Sequence, residues 1–128
     1  MEKEIIYNAD LHFEHELWNK ELLFWEDELK SFHNRLGELV NNWSDRELLT
    51  KLEQYQNKFI RHSEVIDTLQ HDIHVHEANM AEHYKKGEDA LDKVLLKKHF
   101  EMRTQMEVQR HMYGNLKKEF FKFLSDYI

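Results

Sequence analysis

Residues 11–43 read LHFEHELWNKELLFWEDELKSFHNRLGELVNNW. Leu11, His15, Trp18, Leu22, Trp25, Leu29, Phe32, Leu36, Leu39 and Trp43 recur in it at alternating steps of four and three. Such a heptad puts them on one stripe of a long amphipathic α-helix, interrupted only by His15. A second seam runs through Leu48, Leu52, Tyr55, Phe59, His62, Ile66, Leu69, Ile73, His76, Met80 and His83. A third runs through Leu95, His99, Met102, Met106, Gln109, Tyr113, Leu116, Phe120, Phe123 and Tyr127. Three long helices with one shared core are therefore expected.

The two breaks between seams carry helix-end chemistry. Ser44-Asp45-Arg46-Glu47 reads as a capping box, in which the Ser44 hydroxyl accepts from a free amide of the first turn and Glu47 reaches back to the cap. Lys85-Lys86-Gly87 reads as a C-terminal cap with cations at the negative end of the helix dipole, and Glu88, Asp89 and Asp92 then open the next helix. The expected helices cover about 9–43, 45–85 and 88–126, each roughly 50 to 60 Å long at 1.5 Å per residue. Connections this short permit only antiparallel returns, so the fold class is all-α, an up-down-up bundle. The chain reads as a single domain over residues 1–128, with 1–8 a short N-terminal arm.

Composition closes other routes. Among 128 residues there is no proline, no cysteine and only three glycines, too few turn residues for a sandwich or barrel. Without cysteine there is no disulfide framework, zinc finger or thiol nucleophile. A net charge of −7 argues against nucleic acid and anionic membrane as partners. Residues 1–10 lack the basic start, apolar run and cleavage site of a signal peptide, and no stretch is long enough to span a bilayer, so a cytoplasmic location is expected. Phosphate-binding loops, dinucleotide fingerprints and nucleophile elbows are missing, and no catalytic residue is assigned.

Short connections also fix which residues face each other. In an antiparallel pair the two residue numbers of a layer have a constant sum, about 91 for the first two helices and about 175 for the last two. On that register His15 faces His76 and His76 faces His99, one histidine from each helix in one layer. Apolar layers flank it, Leu11/Met80/Leu95 on one side and Trp18/Ile73/Met102 on the other. Three imidazoles match the ligand count of a catalytic zinc site, and nickel and copper accept the same nitrogens. Glu14, Asp72 and Glu77 are candidate acceptors for the outer ring N–H groups. The competing reading is a polar core layer bonded to neighbours or buried water. His62, opposite Leu29 and Tyr113, fits that description, and His83 is expected to be solvated.

Known histidine motifs do not account for the layer. No histidine has a glutamate three positions before it, and His15-Glu16 and His76-Glu77 begin His-Glu-x-x-His but end at Asn19 and Met80. A second hint lies off the seam. Phe13, Leu17 and Phe24, with Leu23 beside them, form an apolar stripe on the first helix, and Phe100 and Phe121 are similarly displaced on the third. Wide bundle faces covering them, or self-association through the first helix, are the two explanations. The leading expectation is a non-enzymatic interaction or structural protein, pairing with itself as a homodimer or with another protein. The alternative is a metal-binding bundle using His15, His76 and His99 for zinc, nickel or copper.

Overall fold

The computed structural model of the chain describes residues 8–85 and 93–127. Residues 1–7 of the expected 1–8 arm and the Gly87 cap lie outside them. The described residues form α1 (Asn8–Asn42), α2 (Arg46–Lys85) and α3 (Lys93–Tyr127), with no strand among them. The fold is the expected three-helix bundle. Asn8 already belongs to α1, and the expected start of the third helix at 88 falls outside the described residues.

The turn between α1 and α2 differs from the expected capping box by one residue. Asp45, not Ser44, caps α2: its Oδ1 accepts from the Glu47 amide at 3.0 Å, and its carbonyl accepts from Leu49 N–H at 2.9 Å. A carboxylate also interacts more favourably than a hydroxyl with the positive end of the helix dipole. Both residues are good caps, and chain geometry decided between them.

The heptad registers hold. Phe32 meets Phe59 with ring centroids 5.4 Å apart, Tyr55 meets Phe120 at 5.5 Å and His62 meets Tyr113 at 4.5 Å. The contiguous apolar core runs from the layer of Trp18, Ile73 and Met102 to Leu39, Leu48 and Phe123. Within it lies a cluster of rings in which Phe59 and Phe120 stand edge to face at 5.0 Å, with Phe32 and Tyr55 against both. Leu11 and Met80 are buried beyond the histidine layer, outside that cluster.

α1 and α3 run parallel, and a row of ion pairs joins them. Glu14 accepts from Arg103 Nη2 at 2.8 Å, Glu21 from Arg110 Nη2 at 2.8 Å, and Glu28 from Lys117 Nζ at 3.1 Å. Each partner lies one heptad on from the last, as parallel helices require. Glu28 and Lys117 are thus paired across helices. Gly37 and Gly114 sit in open space, with nothing within 4 Å of an added Cβ, so close approach by a neighbour is not their reason. Among the described residues no helix is long and apolar enough to cross a membrane.

Candidate metal centre

His15 on α1, His76 on α2 and His99 on α3 meet in one layer, exposed by only 1%, 1% and 0%. Their ring centroids lie 5.2 Å (His15–His76), 4.8 Å (His15–His99) and 5.7 Å (His76–His99) apart. One nitrogen from each falls within 4.8 Å of the others, and Trp18 stacks on His99 at 5.0 Å. The heptad explains this convergence: each histidine occupies a seam position, so burial of its helix's stripe carries it inward.

Carboxylates hold the outer nitrogens of two rings. His15 Nδ1–H donates to Glu77 Oε2, and His99 Nε2–H donates to Glu14 Oε1 at 2.5 Å. An ionised carboxylate only accepts, so both outer nitrogens carry the proton. The inner nitrogens, His15 Nε2 and His99 Nδ1, lie 2.9 Å apart: with both rings neutral they turn lone pairs to each other, and with one ring protonated they share a hydrogen. His76 is bound differently. Neither of its ring nitrogens has a hydrogen-bond partner, though both are buried.

Electrostatics match the geometry. Burial, aided by His15, His99 and Lys98, pushes His76 down to about 4. Burial also lowers His99, against the opposing pull of Glu14. For Glu14 burial pushes upward, but hydrogen bonds from Arg103 and His99 outweigh it and hold the carboxyl below its usual range. Glu77 is lowered the same way, burial being outweighed by hydrogen bonds from His15 and His12. Burial thus favours the neutral form of His76 and His99, while the negative charge sits outside the layer.

Of the expected carboxylate partners, Glu14 and Glu77 are in place, but Asp72 lines a groove between α2 and α3 instead. Two residues were missed: His12, whose Nδ1 donates to the other Glu77 oxygen, and Arg103, which holds Glu14. The signal for both was heptad position, since His12 flanks the α1 seam towards α2 and Arg103 flanks the α3 seam towards α1. His62 stacks flat on Tyr113 with an interplanar angle of 6°, its Nε2 without a partner, and burial lowers it to about 4. His83 is half-buried, where solvation was expected. Phe13, Leu17, Leu23 and Phe24 remain 48–60% exposed, so neighbouring helices do not cover them. The chain matches no family model, no curated protein and no solved structure.

Proposed function

We propose that this chain is a metal-binding three-helix bundle that holds a zinc, nickel or copper ion on His15, His76 and His99 in a non-catalytic role. One observation carries the reading: inward lone pairs on His15 and His99, whose outer N–H groups are tied to carboxylates, beside a His76 with both nitrogens buried and unpartnered. A proton between His15 and His99 satisfies that pair but leaves His76 unsatisfied. A metal ion uses all three. Carboxylate–histidine–metal relays of this kind fix ring orientation and raise ligand basicity. Zinc–nitrogen bonds of about 2.0–2.1 Å separate two tetrahedral ligands by roughly 3.3 Å, so the 2.9 Å pair spreads only slightly. Burial of all three rings closes the layer to bulk water, which supports holding a metal over hydrolysis.

Elemental analysis of untagged protein and thermal melts with zinc or nickel test this. At a hundredfold excess over Kd, metal raises stability by about 2.7 kcal/mol. His76→Ala abolishes the gain, and His71→Ala, on the exposed face of α2, keeps it. A wild-type melt unmoved by zinc, nickel and copper refutes the proposal.

A second reading rests on a separate observation. The ion-pair register sets the exposed Leu17 and Phe24 of α1 and the exposed Phe100 and Phe121 of α3 along the same α1–α3 face, with Phe24 5.9 Å from Lys117 Nζ and Phe100 5.1 Å from the Arg103 guanidinium. Such a stripe supports pairing with a second copy of the chain, α1 of one against α3 of the other. Light scattering across a concentration series decides it. A monomer at every concentration, unaltered by Phe24→Glu, removes this reading.

A further inference from the structure

The histidine layer is closed among the described residues, and three seams between helices lead to it from the sides. The charges at those seams differ. Between α1 and α3 stands Arg103, whose guanidinium grips Glu14 with Nε–O 3.0 Å and Nη2–O 2.8 Å. On the α2–α3 side Lys98 lies close enough for its charge to act on His76. Both cations repel an approaching metal ion. Between α1 and α2 the groups are His12, Glu16 and Glu77: His12 Nε2 lies 3.1 Å from Glu16 Oε1, and its Nδ1 bonds Glu77. His12 and Glu16 are exposed, whereas Glu77 is half-buried and bonds His15 with its second oxygen. One carboxylate therefore touches both a surface histidine and a buried ligand.

From this, and resting on the metal-binding reading above, we infer that His12, Glu16 and Glu77 form the loading port through which a divalent cation passes into the His15/His76/His99 layer. Glu16 and Glu77 attract the hydrated ion, and His12, whose two N–H groups are held by these carboxylates, releases its Nε2 proton to solvent and takes the ion on that nitrogen in exchange for a water. Rotation of the Glu77 carboxylate then carries the ion inward past His15. Electrostatic focusing of this kind raises association rates and is weakened by salt.

Stopped-flow absorbance of cobalt(II) binding to the full chain tests the port. His12→Ala and Glu16→Gln are expected to slow loading by about tenfold together, within the range that charge steering commands, while equilibrium affinity stays within about twofold. Salt is expected to slow the wild type more than Glu16→Gln. His71→Ala serves as the exposed-histidine control. Unchanged loading rates in both variants overturn the port while leaving the metal site intact. A loss of affinity with no loss of rate also overturns it, because His12 then belongs to the binding site itself. Absence of any cobalt spectrum in the wild type defeats the metal reading, and the port with it.

Discussion

Between Trp25 and Phe123 the buried seam positions hold rings and apolar chains packed on one another, as in the Phe32–Phe59–Phe120 group. Past Trp18 the equivalent positions hold His15, His76 and His99, three polar rings with converging lone pairs. The helix geometry of the two regions is the same. Aromatic pairs add about 0.5–1.5 kcal/mol beyond their burial, whereas a buried nitrogen without a partner costs about 1–3 kcal/mol. One half of the molecule therefore supplies stability and the other gives some of it up in a buried polar layer.

Matched substitutions offer the largest test of that contrast. Phe59→Ala should cost about 3–5 kcal/mol in denaturant unfolding, since Phe59 is fully buried among rings. His76→Leu, also on the α2 seam, should leave the metal-free protein as stable or up to about 2 kcal/mol more stable. A comparable loss in both variants would erase the distinction between the halves.

Acid probes the one buried histidine described in the ring-filled half. His62 is held at about 4 in the folded protein against 6.5 for an ordinary histidine. The unfolded chain takes up this proton first, so stability falls as pH drops from about 6.5 to about 4 and levels off below that. The His62 share is about 2–3 kcal/mol, and His62→Leu should remove it from the pH profile of the melting temperature. An unchanged profile would show that His62 takes up protons in the fold as readily as outside it.

Hydrogen exchange sharpens the same comparison at neutral pH without mutation. Amides of residues 48–59 should open about tenfold more slowly than those of 73–83 in the metal-free protein, and added zinc should narrow the gap. Smallest in effect, Gly37→Ala and Gly114→Ala should each stabilise by about 0.5–1 kcal/mol, because neither site has a neighbour to be displaced. A loss at either position would indicate a constraint outside the core.

Seam spacing and short connections made the helices, their register and the histidine layer legible before any coordinates. Glu14 and Glu77 were legible too, each adjacent in sequence to a layer histidine. Asp72 shares that general neighbourhood, but its helical angle turns it towards α3. The ion pairs are not legible along the chain, because Glu28 and Lys117 belong to local runs of like charge and meet only through the heptad that sets residues seven apart on one flank. The identity of the α2 cap turned on a single backbone position, which no spacing rule resolves.

Three antiparallel stripes can wind into a bundle of either hand, and hydrophobic layers alone are nearly indifferent to the choice. In the observed hand Glu14, Glu21 and Glu28 meet Arg103, Arg110 and Lys117. In the mirror-wound arrangement the same register turns that glutamate row towards α2, setting Glu21 beside Asp72 and Arg35 beside Lys58. Like charges then replace opposite ones, a penalty that falls on the wrong topology alone. The ladder need not contribute much to the stability of the native state to matter, since exposed pairs are each worth only about 0.2–1 kcal/mol. Its effect is on the gap between two competing chiralities, and only one of these presents His12 and Glu77 to each other beside the buried layer.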